Sequence, residues 1–454
     1  MRPLPATGNK AFEASVEDMT SIEVGAAVFL LVLLLMALGV PVAFAFLCAN
    51  LIGAFVLMGG WIGMLQLVDN STTLITSFTL IAVPMFVLMG ALLFHSGLAL
   101  RVFDALDALF GRIPGRLSYL TVAGGATFST LTGSTMANTA MLGSMMVPEM
   151  TRRGYAPHMS IGPIIGTGGL AMLIPPSSLG VLLGSLARID IGALLIAGLL
   201  PGVILAALYC LVIYLQTRRN PDCAPAYAVE NIAASRKLRL VVTNILPLGL
   251  VIFCVVGFIL LGIATPSEAA AFGALAVALL ASAFRCLTIE VLRNALMSTV
   301  GVTGMLFMLI ISSSVFSQIL AFAGTSGAVI DWAMAIDATP LLKLMLMFGV
   351  LLVLGMFMDQ ISNLLLTIPV FFPLAAALGY DTVWFGIVVL LALEMSLTTP
   401  PFGLLLFLML GSAPAGTTLT QVVTAAAPYL ACDALLLAIL VMAPGLALFL
   451  PGFL

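Results

Sequence analysis

Charge is what this sequence has least of. Lysine, arginine, aspartate and glutamate make up 8% of its 454 residues, against 62% hydrophobic residues, and the mean hydropathy is +1.24. Soluble domains carry about 25% charged residues, so neither a soluble enzyme nor a nucleic-acid-binding domain can form the body of this chain. Cysteine and histidine are also sparse. The six cysteines (Cys48, Cys210, Cys223, Cys254, Cys286 and Cys432) show no CxxC spacing and the only histidines are His95 and His158, which argues against a metal cluster or a disulfide framework. Both histidines lie near expected membrane ends, where an interfacial place accounts for them. Residues 1–21 are polar and lack the pattern of a secretory signal, so they read as a short tail. No lysine or arginine falls at mid-membrane.

What is present is a series of apolar runs, each long enough for a hydrocarbon layer of about 30 Å. Crossings are expected at 22–39, 41–58 and 74–94, with Trp61, Asp69 and Asn70 in the turn before the third. Residues 98–113 alternate differently: Leu98, Val102, Phe103, Leu106, Leu109 and Phe110 share one helical face, while Arg101, Asp104, Asp107 and Arg112 take the other. That pattern predicts an amphipathic helix along the interface.

The chain is organised around one stretch and its echo. GSTMANTAMLGSMMVPEMTRRGY (133–155) followed by IPPSS (174–178) is answered by MDQISNLLLTIPVFFPLAAALGY (358–380) followed by TPPFG (399–403). Asn138 and Asn363, Pro148 and Pro373, Tyr155 and Tyr380, Pro175 and Pro400, and even Pro41 and Pro266 are each 225 positions apart, the mark of an internal duplication. The shared residues are helix breakers and amides, tolerated at membrane depth only where the backbone is buried in protein or lines a cavity.

Arginines set the expected topology. Arg112 and Arg116 precede residues 118–150, and Arg152 and Arg153 follow them, so both ends belong on the cytoplasmic side. Split at Gly133, the segment gives two helices of about 15 residues each, about 22 Å and too short to span, hence a re-entrant hairpin. Five crossings and one hairpin per repeat, an odd number, require the second copy to be inverted. The domain reading is a tail at 1–21, a first repeat at 22–216 with hairpin 118–150 and broken helix 159–187, a cytoplasmic link at 217–239, and a second repeat at 240–454 with hairpin 342–375 and broken helix 383–411. This places twelve of the 16 basic residues inside, with only Arg2, Lys10, Arg188 and Lys343 outside, and both termini on the periplasmic side. The fold class expected is an all-α polytopic membrane protein of two inverted repeats.

Inverted repeats with broken helices meeting at the midplane are how secondary transporters build their sites. The polar residues at the first break are Ser134, Thr135, Asn138, Thr139, Pro175, Ser177 and Ser178, and at the second Asp359, Gln360, Ser362, Asn363, Thr398, Thr399 and Pro400. The substrate is assigned to Ser134, Thr135, Asn138, Ser177, Gln360, Asn363 and Thr399. A hard monovalent cation, sodium, is assigned to oxygens of Ser134, Asn138, Pro175, Ser178, Asp359, Ser362, Asn363 and Thr398. Any single hydroxyl can instead serve helix packing. Intramembrane acids are costly and usually functional: Asp359 ranks first, then Glu394 and Glu268, then Asp433. Glu268, in a TPSE sequence, can be a helix cap, and Glu394 can hydrogen-bond a neighbouring helix. An intramembrane hydrolase lacks its residues here, and a channel fits two opposed hairpins in one chain less well than a carrier.

At this point the motifs resemble a known family, the large membrane subunit (DctM type) of tripartite ATP-independent periplasmic, or TRAP, transporters. The likeness runs from about residue 22 to the end and rests on VPMFVLMGALL (83–93), VPEMTRRGY (147–155), IPPSS, LIAGLLPG (195–202), GIATPSEAAA (262–271) and TTPPFGLLLF (398–407). The resemblance implies a sodium-driven elevator importer of the bacterial inner membrane, with organic acids such as C4-dicarboxylates or sugar acids as cargo. It also implies a small four-helix membrane subunit (DctQ type) and a periplasmic substrate-binding protein (DctP type). The residues before the first crossing are too few for a fused small subunit, so that partner is expected as a separate chain. The alternative is a stand-alone cation-coupled carboxylate symporter of the divalent-anion type.

Overall fold

The computed structural model describes residues 20–109, 113–132, 135–175, 177–225, 234–414 and 416–453, and among them every regular element is a helix. In the first half these are α1 (Ser21–Ala37), α2 (Val42–Leu57), α3 (Trp61–Ile75), α4 (Ala82–His95), α5 (Leu98–Leu109), α6 (Arg116–Thr132), α7 (Thr135–Arg152), α8 (Pro157–Leu173), α9 (Ser178–Ala187) and α10 (Ile191–Arg219). The second half continues with α11 (Ala234–Leu240), α12 (Leu246–Leu260), α13 (Pro266–Ala283), α14 (Ile289–Phe322), α15 (Thr325–Ala335), α16 (Pro340–Phe357), α17 (Gln360–Ala377), α18 (Thr382–Thr398), α19 (Leu404–Ser412), α20 (Leu419–Met442) and α21 (Gly445–Leu448). Among the described residues seven helices are long and apolar enough to cross a membrane, and α8 with α9, bent by 42° at their break, makes an eighth if taken as one span.

Helix ends follow local chemistry. Thr20 with Glu23, Thr265 with Glu268 and Thr418 with Gln421 form capping boxes, in which each side chain satisfies an amide left open by the first turn. Glu268 therefore has the cap role left open in its sequence. Asp190 and Asp381 cap α10 and α18 through their carboxylates. Proline at the first helical position starts α8 and α13, where no amide is missed. The bounds of α7 and α17, and of α8 and α18, are offset by the same 225 positions that separate the sequence motifs.

One segment departs from expectation. Trp61, Asp69 and Asn70 lie in a regular helix, α3, and not in a turn, while the run at 74–94 is interrupted by a short 3-10 turn at Phe78–Ile81 before α4. The Thr76 hydroxyl donates to Thr72 O at 2.9 Å, and such local bonding competes with continuation of a helix. The corresponding stretch of the second half is one uninterrupted helix, α14, of 34 residues.

The chain divides into two compact units. One consists of residues 1–77, 304–347 and 364–380. Its core joins Ala54 and Met58 of α2 to Val315 and Ile319 of α14, and Phe46 meets Phe316 edge to face at 5.1 Å. Polar groups pair within it: Asn50 Nδ2 donates to Ser312 O at 2.6 Å, and Asn70 donates to Gln318.

The other unit holds residues 78–303, 348–363 and 381–454. Its centre is the pair α8 and α18. Met159 through Leu173 of α8 and Trp384 through Thr398 of α18 are all buried, as expected of helices apolar on every face. Close approach explains the glycines of α8. A Cβ on Gly166 would come within 2.6 Å of the Tyr429 ring on α20, and one on Gly162 within 2.5 Å. The arm α5 buries Leu98, Val102, Phe103 and Ala105 while Arg101 and Asp104 stay exposed. Arg116, expected as a cytoplasmic charge, is buried and donates to the Asp107 carboxylate at 2.8 Å.

Overfilling the α8–α20 contact should be costly. Gly166→Leu is expected to destabilise the protein by about 1–3 kcal/mol, read as a lower thermal midpoint in detergent by fluorescence-detected gel filtration. Gly249→Leu, at an exposed site with nothing within 4 Å of the added Cβ, should leave the midpoint unchanged.

Candidate functional site

The breaks flagged in the sequence coincide with helix ends. The first hairpin is α6 and α7, which pack against each other and against α8. Ser134 and Pro176 lie outside the described residues. Asn138, one turn into α7 and fully buried, donates from Nδ2 to Thr167 O on α8 at 3.2 Å and reaches Gly125 O on α6 at 3.5 Å. One amide thus ties both arms of the hairpin to the broken helix. Asn363, its counterpart, donates to Leu351 O of α16 at 2.8 Å and so ties α17 to the preceding arm. Each asparagine serves its own hairpin in the same way.

Glu394 joins the two breaks. It lies one turn before the end of α18 at 1% exposure, and Oε2 accepts from Thr135 Oγ1 at 3.3 Å and from Gln360 Nε2 at 3.3 Å. Thr135 opens α7 and Gln360 opens α17, and their numbers differ by 225. Thr135 Oγ1 also lies 3.2 Å from Gly168 O, and Gln360 Nε2 lies 3.7 Å from Met172 Sδ, both on α8. The residue 225 positions before Glu394 is Gly169, and a Cβ there would stand 2.8 Å from Glu394 Cγ. Glu394 therefore fills the space that its own counterpart, having no side chain, leaves open.

The remaining predicted residues are engaged locally. Asp359 caps α17, accepting from Ile361 N at 3.1 Å, Ser362 N at 3.3 Å and the Ser362 hydroxyl. Ser177 caps α9 by accepting from Gly180 N at 3.1 Å. Pro175 is buried where α8 has ended and α9 has not begun. Thr398 and Thr399 donate to Met395 O at 3.0 and 2.6 Å, which leaves their lone pairs free for a donor or a cation. Thr139 is buried beside Gly168, and Ser178 opens α9.

Two groups were missed by motif reasoning. Gly169 carries no chemistry of its own, and only the 225-position offset points to it. Tyr209 on α10 donates to Asp433 Oδ1 on α20 at 2.5 Å, both groups buried, and its ring lies 5.3 Å from that of Tyr429. Asp433 was flagged as an acid in an apolar run, but nothing marked its tyrosine partner across 224 residues. Among the described residues the ion pairs are Arg116–Asp107, Arg152–Glu149 and Arg153–Glu149, so neither Glu394 nor Asp433 has a basic partner there.

The sequence matches the family described as Tripartite ATP-independent periplasmic transporter, DctM component, over residues 29–446. It is 32% identical over 380 residues to the C4-dicarboxylate TRAP transporter large permease protein DctM of Pseudomonas aeruginosa, covering 83% of this chain and 87% of that protein. It is 33% identical over 420 residues to the ectoine TRAP transporter large permease protein TeaC of Halomonas elongata, covering 92% and 96%. Among solved structures the YdaH transporter of Alcanivorax borkumensis aligns with a TM-score of 0.59 at 16% identity, covering 85% of this chain and 87% of that one, a likeness of fold alone.

The paired amides give a stability prediction. Asn138→Ala and Asn363→Ala each strand buried carbonyls, and each should cost about 1–3 kcal/mol, measured as a lower midpoint of thermal unfolding in detergent. A midpoint equal to wild type in both would mean these amides do not hold the hairpins.

Proposed function

The chain belongs to the DctM-component family of tripartite ATP-independent periplasmic transporters, and from that premise we propose that it is the large, substrate-translocating subunit of a sodium-coupled carrier. The observation that supports this most directly is the meeting of Thr135 and Gln360, one from each half, on the single buried carboxyl of Glu394. A buried site where two helix breaks converge is how secondary transporters with discontinuous helices bind their cargo.

In this reading the two halves are inverted repeats, and the recurrence of helix bounds at one offset supports that arrangement. The chain sits in the bacterial inner membrane with both termini on the periplasmic side, and its hairpins and broken helices move together as an elevator. The cargo is an organic acid. The names of the relatives from Pseudomonas aeruginosa and Halomonas elongata refer to C4-dicarboxylate and to ectoine, and a carboxylate is common to both. With no lysine or arginine at the breaks, the carboxylate is bound by the amides and hydroxyls of Thr135, Asn138, Gln360, Asn363, Ser177 and Thr399, by the N-terminal ends of α7, α9 and α17, and by the coupled cation.

Sodium is held by hard oxygens around Asn138, Pro175 and Ser178 at one break and around Asp359, Ser362, Asn363 and Thr398 at the other. The open carbonyls at the end of α8 and the doubly used Met395 O near the end of α18 suit a cation of single charge. Ser134, outside the described residues, completes both sets in this proposal. The partners are a separate small four-helix membrane subunit and a periplasmic binding protein that selects the solute.

The test is uptake by vesicles containing the chain with its small subunit, supplied with the binding protein and a labelled C4-dicarboxylate. An inward sodium gradient should drive accumulation, and equal uptake without sodium would overturn the coupling. Asn is as good a helix cap as Asp, so Asp359→Asn should preserve assembly while lowering sodium-dependent uptake by about tenfold or more, equivalent to about 1.4 kcal/mol.

A further inference from the structure

Among the seven membrane-length helices, the one that follows the link is the least enclosed. In its apolar window, within Ser235–Leu260, 17% of the residues are buried in the protein, the smallest share of the seven. Leu238, Val242, Leu246 and Leu250, each four residues after the last, are exposed, and Phe253 continues the stripe at 72% exposure. Helical residues four apart lie one above another, so these side chains form one apolar edge.

At the link end that edge changes character. Arg236, Arg239 and Thr243, spaced by three and four residues, share a face beside the stripe, and with Ser235 and Leu240 they line an open cleft of about 610 Å³. Both arginines are exposed, and no ion pair among the described residues includes them or Lys237. Just below, the helix widens into a π turn in which the Leu246 amide donates to Val241 O, five residues back, a form frequent at functional sites. The arm α5 packs on α11 and on this turn. Of its two acids, Asp107 is paired with Arg116, and Asp104 forms no ion pair among the described residues. Glu230 of the link lies outside the described residues.

Charge at one end and hydrocarbon below it is the order of a lipid leaflet. Eleven residues separate Arg239 from Leu250, about 16 Å along a helix, half of a hydrocarbon layer of about 30 Å. An acidic protein segment would satisfy the arginines and leave the stripe uncovered. A phospholipid satisfies both.

We propose that this edge binds an anionic phospholipid of the cytoplasmic leaflet, its phosphate on Arg236 and Arg239 and an acyl chain along Val242, Leu246 and Leu250. Guanidinium groups match phosphate oxygens through paired hydrogen bonds, and basic clusters just cytoplasmic of a spanning helix are where anionic lipids are recognised. The Ser235 hydroxyl adds a donor. The Thr243 hydroxyl is already donating to Arg239 O at 2.8 Å, so it offers lone pairs to a headgroup hydroxyl. A lipid held in this way fastens the end of the link to the bilayer surface beside α5. The choice of leaflet rests on the topology proposed above; the binding does not, and is read in detergent.

Native mass spectrometry of the full chain, with dioleoyl phosphatidylglycerol or zwitterionic dioleoyl phosphatidylcholine added in turn, tests it. Wild type should retain about tenfold more of the anionic lipid. Arg236→Gln combined with Arg239→Gln should reduce it to the phosphatidylcholine level while eluting as wild type on gel filtration. Arg218→Gln combined with Arg219→Gln, at two exposed arginines that end α10 outside the cleft, should keep it. Excess glycerol 1-phosphate, the headgroup without its chains, should not displace the lipid. Displacement would make this a free-phosphate site and overturn the proposal, as would equal losses in the two double variants. Wild type with no preference between the two lipids would overturn it with no variant needed. A small membrane subunit that expels the lipid and needs Arg236 and Arg239 to bind would assign the edge to a protein instead.

Discussion

A backbone inside a hydrocarbon layer has no water to fall back on, so each amide and carbonyl freed by a helix break must find a partner within the protein. This chain has breaks between α8 and α9 and between α18 and α19, together with two hairpin tips. It can keep them because α8 and α18 are enclosed on all sides: not one residue from Met159 to Leu173 or from Trp384 to Thr398 is exposed. The glycines of α8 make that enclosure possible by admitting Tyr429 on one side and Glu394 on another.

Positions 225 apart share helix bounds but differ in what they hold. Asn138 and Asn363 each reach a carbonyl of the preceding helix, Gly125 O and Leu351 O. Thr135 and Gln360 open α7 and α17 with different chemistry, a hydroxyl facing an amide across one carboxyl. At the third pair the difference is larger, since Gly169 has no side chain and Glu394 occupies the space beside it. Where two buried helices meet side by side, one bulky partner needs one empty one.

Much of this could be read from the sequence, because breakers and amides in an apolar background are conspicuous and their spacing is rigid. The helix ends at Thr132 and Thr135, at Leu173 and Ser178, and at Phe357 and Gln360 fall where those residues mark them. What escaped were contacts across long separations: Thr135 with Glu394, 259 positions apart, and Tyr209 with Asp433. Nor did composition show that Arg116 is buried and paired with the partly exposed Asp107. The segment Trp61–Ile75 was missed for the opposite reason, since its polar Asp69, Asn70 and Ser71 look like a turn while Asn70 is occupied in bonding Gln318.

Helix α14, unlike its jointed counterpart α3 and α4, runs unbroken for 34 residues, about 51 Å at 1.5 Å per residue. That exceeds a hydrocarbon slab of about 30 Å by some margin. Glu290 and Arg293 in its first turns, beside a fully open Ile289, are the kind of residues that stay at a wet edge. The rod must lean or stand proud of the lipid, so membrane thickness, and with it sterol content or acyl length, becomes a mechanical input that this one rigid part of the molecule feels first.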